Sequence, residues 1–168
     1  MTQQILTGIR VIDFSRYIAG PYCAALLSHL GADVIRVEKR GGAEDRYVTP
    51  LQDSGESVGA LFQQTCANKR SLTLDLKHPQ AKPIVKELVA SGDVVIANMP
   101  PGALVRAGLD YATLSEINPK IILTTQTGYG HQGPWANRGG FDGVGQAMSG
   151  ASFFGGEPGK PIKSAAPY

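Results

Sequence analysis

The sequence has few of the residues that mark a specialised structural class. Of its 168 residues, two are cysteine, one is tryptophan and 7% are aromatic. Cys23 and Cys66 show no CxxC spacing and no neighbouring histidines, which argues against a disulfide framework or a zinc site and favours a reducing compartment. No apolar run approaches about 18 residues, and no secretory signal pattern opens the chain. We therefore expect a soluble, cytoplasmic protein with no membrane partner.

A marked excess of charge of either sign is also missing. Sixteen Lys and Arg residues stand against fourteen Asp and Glu residues, which gives a formal net charge of +2. So small an excess is not typical of nucleic-acid-binding surfaces, and we expect no nucleic-acid partner. Glycine and proline are abundant instead, at 21 and 11 residues, and they concentrate after residue 98. That half of the chain is predicted to be rich in ordered loops.

The stretch from Ile12 to Arg40 is typical of a strand–helix–strand unit. A short apolar strand covers residues 10–14, and a second strand covers 33–37. Between them, Pro21 is placed as the first helical residue and Gly31 as the residue just past the helix end. The intervening turn, Ala19-Gly20-Pro21, lacks the spaced glycines of a dinucleotide site. It indicates either a helix end that attracts an anion or a simple helix start.

Similar units follow along the chain. Residues 41–60 are predicted to form a long surface excursion, and strands are predicted over 68–75, 93–97 and 121–125. A helix is predicted to start at Pro79, and another to cover about 110–117. Strands and helices that alternate at this spacing predict a parallel α/β sheet.

Ligands of open parallel sheets bind at the carboxyl ends of the strands, near the point where the strand order reverses. The candidate loops are Ser15–Pro21, Glu38–Gly42, Asn98–Gly102 and Gly128–Gly133. A ligand with several phosphates would need scattered cations, although each one alone is also typical of a solvated surface. The candidate cations are Lys39, Arg40, Lys69, Arg70, Lys77 and Arg106. The proline-rich turn after Asn98 fits two roles equally, presentation of the Asn98 amide to a ligand or a structural turn.

Other catalytic signals are weak. The three histidines have no metal-ligand spacing, and only His131, in a glycine-rich loop, is a candidate site residue. The GxSxG, P-loop and HExxH motifs do not occur. Asp142 stands at the start of a helix predicted over about 142–150, and its side chain is expected to be the N-cap.

A series of motifs runs in order along nearly the whole chain: Gly8–Phe14, Ala19–Pro21, Leu30–Glu38, Asn68–Lys77, Asn98–Gly102, Arg106–Leu109, Asn118–Pro119, Gly128–Gly130, Gly133–Pro134 and Phe141–Gly150. This series resembles the family III CoA-transferases, which include formyl-CoA and carnitine CoA-transferases and the related α-methylacyl-CoA racemases. The resemblance implies a Rossmann-like parallel sheet flanked by helices. Residues 1–168 would then be the N-terminal part of the large CoA-binding domain of an interlocked dimer, with the small domain and the C-terminal part outside this chain.

The resemblance also implies a binding site for coenzyme A or acyl-CoA as substrate, with no tightly bound cofactor and no metal. By position, its CoA contacts fall on Ile18, Ala19, Lys39, Leu74, Asp75, Leu76, Lys77, Asn98, Met99, Pro100, Arg106, Gly139, Gly140 and Phe141. The family often has arginine where this chain has Lys39, which keeps the charge and loses a planar stack on adenine. Some members have glutamine in place of Ile18.

The transferase reaction that the resemblance implies exchanges CoA between an acyl-CoA and a small carboxylic acid through aspartyl anhydride and aspartyl-CoA intermediates. The nucleophilic aspartate is expected just beyond Lys163–Tyr168, the end of a Gly/Pro-rich segment over 128–168. No catalytic residue is therefore expected within this chain, which alone would be inactive and poorly soluble. Its partners would be the rest of its own polypeptide and a second copy in an interlocked homodimer.

Two alternatives remain at this stage. Racemases of the family carry a histidine directly before the aspartate that matches Asp142, and this chain has Phe141 there. A phenyl group cannot exchange a proton, which favours the transferase. The second alternative is a non-catalytic CoA-binding module, because the chain has no residue in the position of the nucleophile.

Overall fold

The computed structural model describes residues 4–48 and 58–161. The strands are β1 Arg10–Asp13, β2 Asp33–Glu38, β3 Arg70–Thr73, β4 Val94–Ala97, β5 Ile122–Thr125, β6 Gly156–Glu157 and β7 Lys160–Pro161. The α-helices are α1 Ala19–His29, α2 Ala60–Cys66, α3 Ala81–Ala90, α4 Pro101–Ala107, α5 Tyr111–Ile117, α6 Asp142–Met148 and α7 Ala151–Phe154. A short 3₁₀ helix covers Glu44–Tyr47.

Five strands form one parallel sheet in the order β3-β2-β1-β4-β5. The central strand β1 pairs with β2 on one side and β4 on the other, so that Ile12 lies opposite both Ile35 and Val95. The chain builds outward from β1 to β3, then crosses back to add β4 and β5. The strand order therefore reverses between β1 and β4, and the predicted parallel α/β class is confirmed.

Apolar side chains pack on both faces of the sheet because alternate residues of a strand point to opposite faces. On one face, Ile12 and Val95 join a cluster that contains Val89 of α3 and Leu104 of α4. On the other face, the neighbouring strand residues join Ala24 of α1. The strand residues of that second cluster are Val11, Val34 and Ile96. The strands β1, β2 and β4 are thus mainly buried between helices.

Helix α1 ends where the sequence predicts but begins two residues earlier than predicted. Helix α1 begins at Ala19, so Pro21 is its third residue and not its first. The first four amide groups of a helix have no partner within it, so a proline is tolerated there as well. Gly31 follows the C-cap residue with φ of 102°, as predicted for the residue just past the helix end. A Cβ atom at Gly31 would lie 2.5 Å from the Cβ of Gln4, so glycine is required there.

The predicted surface excursion over 41–60 is wrong in part. Asp45, in the 3₁₀ helix, is only 1% exposed, and helix α2 begins at Ala60 without having been predicted. Residues 49–57 lie outside the described ranges. The strand predicted over 68–75, whose alternating residues suggest half burial, is instead the shorter edge strand β3, which is mostly exposed; only Leu72 of β3 is partly buried. The helix predicted to start at Pro79 begins at Ala81.

The chain divides into two compact units, Met1–Gln126 and Thr127–Tyr168. The second unit contains α6, α7 and the antiparallel pair β6–β7. Asp142 is the first residue of α6 and Phe141 is the N-cap, so the predicted N-cap role of Asp142 is wrong by one position. The Asp142 carboxylate accepts hydrogen bonds from the Gln146 side chain. Within the described part of the chain, no helix combines the length and apolar character needed to cross a membrane.

Candidate functional site

The predicted CoA contacts of the first unit lie in the loops that follow the sheet strands. Ile18 is the N-cap of α1, and Ala19 opens that helix after β1. Lys39 comes directly after β2, and Leu74–Lys77 follow β3. Asn98–Pro100 follow β4 and lead into α4, which carries Arg106 in its last turn. Because the strands are parallel, these loops emerge on the same side of the sheet, where all five strands have their carboxyl ends. We call this side the carboxyl edge.

Asn98 joins two of these loops across the point where the strand order reverses. Its Oδ1 accepts a hydrogen bond of 2.9 Å from the Arg16 backbone N–H, and its Nδ2 donates one of 2.5 Å to the Arg16 carbonyl. The side-chain amide therefore pairs with both backbone groups of one residue. The structural role of Asn98 is thus evident, and its contact with a ligand stays a prediction.

The start of α1 approaches the end of β1 very closely. A Cβ atom at Gly20 would lie 2.2 Å from the Cβ of Ser15 and 2.3 Å from its Oγ, so no larger residue fits without a shift. Ser15 is fully buried, and both its N–H and its hydroxyl donate to Oδ1 of Asp13. Gly20 therefore fixes the path of the loop between β1 and α1, a role beyond that of a helix start signal.

Lys69 is a structural residue and not one of the surface cations predicted for a ligand. Its Nζ lies 2.9 Å from Oδ2 of Asp13 and 2.7 Å from the carbonyl oxygen of Pro21. The side chains of Lys69 and Asp13 are 1% and 0% exposed. Lys69 therefore ties the end of β1 to the first turn of α1 from inside the fold.

Arg70 is also misplaced by the sequence prediction. It stands at the amino end of β3, opposite to the edge of the predicted CoA contacts, and it pairs with Asp33 at the start of β2. Burial acts to raise the pKa of Asp33, but the hydrogen bonds and positive charges of Arg10 and Arg70 together lower it. The guanidinium of Arg70 thus serves pairing between neighbouring strands.

Two further ion pairs hold the 3₁₀ helix against β2. Arg36 Nη2 donates to both carboxylate oxygens of Asp45, at 2.9 and 2.8 Å, and both side chains are buried. Asp45 also accepts a hydrogen bond of 2.8 Å from the N–H of Tyr17, whose φ of 66° is unusual for a residue other than glycine. Asp45 therefore connects the loop after β1 with the segment after β2.

Glu38 and Arg46 form the second of these pairs. Arg46 donates from Nε to Glu38 at 2.8 Å and also from Nη2, and its guanidinium lies 4.3 Å from the ring centre of Phe62. Arg36 stacks on the same ring at 5.0 Å. The Arg46 hydrogen bond is the main cause that lowers the pKa of Glu38. Three ion pairs, Lys69–Asp13, Arg36–Asp45 and Arg46–Glu38, thus lie close to the ends of β1 and β2. We call their six residues the ionic layer.

Glu44 lies between two cations at the same edge. Its Oε2 is 3.1 Å from Nη1 of Arg16, and its Oε1 accepts a hydrogen bond from Nζ of Lys39. All three side chains are about half exposed, at 48%, 48% and 55%. The bond from Lys39 is the largest cause that lowers the pKa of Glu44 to about 2, so its carboxylate is charged at neutral pH. The predicted CoA contact Lys39 thus already has an anionic neighbour.

The remaining predicted contacts, Gly139–Phe141, lie in the second unit. Gly140 packs against Gly128, and a Cβ atom on either one would lie 2.6 Å from the Cα of the other. Phe141 is 66% exposed and lines a small cavity beside α6. His131 lies in the loop of the same unit where Tyr129 contacts Trp135 edge to face.

Neither cysteine has the environment of a nucleophile. Burial is the largest cause that raises the pKa of both Cys23 and Cys66, which keeps the thiols protonated at neutral pH. In the described ranges, no group of three or more His, Cys, Asp and Glu side chains could hold a metal ion. The site at the carboxyl edge is therefore one of backbone loops, cations and hydrogen-bond donors.

The family model described as CoA-transferase family III matches residues 6–168. The chain belongs to CoA-transferase family III. The resemblance drawn from the sequence motifs is confirmed.

Individual family III relatives agree with this assignment. The chain is 43% identical over 160 residues to the succinyl-CoA–L-malate CoA-transferase beta subunit of Chloroflexus aurantiacus, and 42% identical over 165 residues to the succinate–glutarate CoA-transferase of Agrobacterium fabrum. The alignments cover 94% and 95% of this chain but 39% and 41% of the relatives. The chain therefore spans about two-fifths of the length of these curated relatives.

Solved structures of the family share the fold. A CAIB/BAIF family protein from Brucella suis superimposes with a TM-score of 0.88 at 39% identity, and the match covers 98% of this chain and 44% of that chain. The parallel sheet flanked by helices is thus the fold of a family III protein.

The ionic layer is one feature of the family III chain that the sequence does not predict. Strand β2 contains a signal for this layer, because Val34, Arg36 and Glu38 are every second residue and therefore lie on the same face of the sheet. Charged residues on a face that a helix covers need buried partners. The sequence does not reveal which distant residues supply them.

Proposed function

We propose that the complete protein transfers CoA from an acyl-CoA thioester to a free carboxylic acid. The observation that carries this proposal is the match to CoA-transferase family III over residues 6–168. The geometry supports it, because the predicted CoA contacts of the first unit follow the strands at a single edge of the sheet. Asn98 and Arg16 join two of those loops where the strand order reverses, the usual place for a ligand in such sheets.

The proposed reaction begins with an aspartate carboxylate that attacks the thioester carbonyl. The carbon–sulfur bond breaks, and CoA thiolate leaves a mixed anhydride. The thiolate then attacks the aspartyl carbon of the anhydride, which releases the donor acid and forms an aspartyl-CoA thioester. The acceptor carboxylate attacks this thioester and the freed thiolate attacks the new anhydride, so that a new acyl-CoA leaves and the aspartate is restored. We place the aspartate just beyond Tyr168.

The residues of this chain would bind and orient CoA in that scheme. Amide groups at Ile18 and Ala19 would approach the ligand at the start of α1, where a helix end favours negative charge. Lys39, Lys77 and Arg106 are exposed and would contact phosphates. Asn98–Pro100 and Leu74–Lys77 would line the carrier along the edge. Gly139–Phe141, which belong to the second unit, are further proposed CoA contacts.

Short dicarboxylic acids are the first substrates to test. Two relatives are named for succinate or succinyl-CoA together with malate or glutarate. We further propose that the complete protein is cytoplasmic and forms an interlocked homodimer, in which the rest of the polypeptide completes the large domain. The exposed rings of Phe153 and Phe154, at 82% and 87%, support a role for further chain or a partner in covering apolar surface.

Phe141 argues against the racemase alternative. Its phenyl ring stands directly before Asp142, where racemases of the family carry an acid/base histidine. Because phenyl cannot take or give a proton, we expect no exchange of the α-hydrogen of an acyl-CoA in deuterated water. Rapid exchange without CoA transfer would favour the racemase.

A screen of acyl-CoA donors against carboxylate acceptors, made with the complete protein, tests the proposal. We expect acyl-CoA products from at least one dicarboxylate pair and a covalent CoA adduct on an aspartate in the intact-mass spectrum. CoA binding without transfer or adduct would favour the non-catalytic module instead.

A further inference from the structure

We propose that Glu44 is an internal counter-ion that competes with the phosphates of CoA for Lys39 and Arg16. It would thereby lower the affinity of the site for CoA and set the ease with which CoA leaves. This inference rests on the proposed function, because it takes the carboxyl edge of the sheet as the CoA site.

The chain path brings Glu44 to these cations. Gly41 and Gly42 have φ of 81° and 88°, and the Gly42 N–H donates to the carbonyl of Lys39, so the chain reverses directly after β2. Such dihedral angles favour glycine. The reversal returns Glu44 to the side chain of Lys39 five residues later in the sequence.

The two cations approach Glu44 from different loops. Arg16 belongs to the loop after β1, and Lys39 follows β2, yet each binds a separate oxygen of the one carboxylate. An anion held by two cations through two oxygens is the arrangement that a phosphate group would adopt there. Glu44 thus occupies the place of a ligand anion between the loops.

The backbone beneath Glu44 is fixed, while its side chain can be displaced. The next residue, Asp45, is buried and bound to Arg36 and Tyr17, and the preceding Ala43 N–H donates to Glu38. The Glu44 side chain itself is 48% exposed. Exposed ion pairs of this kind are weak, so a ligand with several negative charges can take over the cations.

A positioning role for Glu44 predicts the opposite result. If Glu44 oriented Lys39 and Arg16 for the phosphates, its loss would weaken CoA binding. If Glu44 competes for the cations, its neutralisation removes both the competitor and its repulsion of the phosphates, so that CoA binds more tightly. The sign of one affinity change therefore separates the two roles.

The experiment measures CoA binding by isothermal titration calorimetry for the complete wild-type protein and for Glu44→Gln. We expect the variant to bind CoA roughly three- to tenfold more tightly at low salt, as two exposed ion pairs allow. The gain should shrink at 1 M salt, where the screening length is about 3 Å. It should also shrink when Lys39→Met is present in both proteins.

Glu87→Gln is the matched control. It also removes one exposed negative charge, but it lies in the last turn of α3, which leads to the amino end of β4. We expect this variant to bind CoA like the wild type. Melting curves should show that both glutamine variants remain folded, because neither residue is buried.

Each outcome decides the matter. If the wild type binds CoA and Glu44→Gln binds it equally or less tightly, the counter-ion role is overturned, while the CoA binding on which the proposed function depends is retained. If neither protein binds CoA, the proposed function fails and the inference fails with it. If CoA binds more tightly to Glu44→Gln, or binds to that variant alone, both are supported.

Discussion

Lys69 donates a hydrogen bond to Asp13 across 2.9 Å, and neither side chain reaches solvent. This pair lies between the end of β1 and the first turn of α1, because the same Nζ also binds the carbonyl of Pro21. A buried charge keeps its place only with a partner, so the two residues depend on each other. The pair therefore holds in place the loop that carries the predicted CoA contacts Ile18 and Ala19.

Lys69→Met should therefore destabilise the protein by roughly 3–5 kcal/mol, because it leaves the Asp13 carboxylate buried without its cation. Urea denaturation of the complete protein measures the effect. The double variant Lys69→Met with Asp13→Asn should be less destabilised than Lys69→Met alone, since an amide oxygen can still accept from Ser15. A loss under 1 kcal/mol in the single variant would show that the pair is not needed.

Gly20→Ala should also destabilise the protein, by about 1–3 kcal/mol, because the new methyl group would lie 2.2 Å from the Cβ of Ser15. Gly143→Ala is the matched control. Nothing lies within 4 Å of a Cβ atom at Gly143, which is inside helix α6. Alanine should be neutral or stabilising there by up to about 1 kcal/mol. Equal effects of the two substitutions on the melting temperature would contradict the close approach at Gly20.

Glu38 should make the stability depend on pH in the acidic range. Its pKa is lowered in the folded protein, with the Arg46 hydrogen bond as the main cause, so the unfolded chain binds its proton more readily. The stabilisation from Glu38 is therefore complete above the ordinary glutamate pKa of about 4.3 and is lost as the pH falls through the lower folded value. Glu38→Gln should reduce the rise in unfolding free energy between about pH 3 and pH 5. An unchanged pH profile would rule out this role.

How far the sequence predicts this structure depends on the range of the contacts involved. Gly31 and the α5 segment were placed correctly because a turn residue and a helical pattern are local signals. The sequence predicts a ligand-binding role for Lys69 because its partner Asp13 lies 56 positions away, and no local signal indicates that the two side chains meet. Helix α2 was missed for a similar reason, since its Phe62 ring packs on guanidinium groups of other segments.

In the candidate site, too, local features are predictable from the sequence and contacts between distant residues are not. The predicted strands indicate the candidate loops, the family resemblance adds individual contact residues, and the parallel sheet places the loops of the first unit at one edge. The partners within those loops could not be predicted, such as Arg16 for Asn98 or Glu44 for Lys39, because they depend on how separate loops meet in space.

Asn98→Ala should weaken CoA binding as well as stability, because it removes both hydrogen bonds that join the loops at the strand-order reversal. We expect a loss of about 1–3 kcal/mol in unfolding free energy and a clear rise in the Kd for CoA. Asn118→Ala is the control. Asn118 also bonds to backbone carbonyls, those of Val89 and Gly92, but at the amino end of β4. It should lower stability by a similar amount and leave the Kd unchanged, and equal Kd effects would contradict the account.

We propose above all that this chain binds CoA for a reaction at an aspartate just beyond Tyr168. The direct measurement is intact-mass and peptide mass spectrometry of the complete protein after incubation with succinyl-CoA. We expect a covalent CoA adduct on that aspartate, which disappears when an acceptor acid is added and new acyl-CoA forms. A folded protein that binds CoA but shows no adduct, or an adduct on another residue, would contradict it.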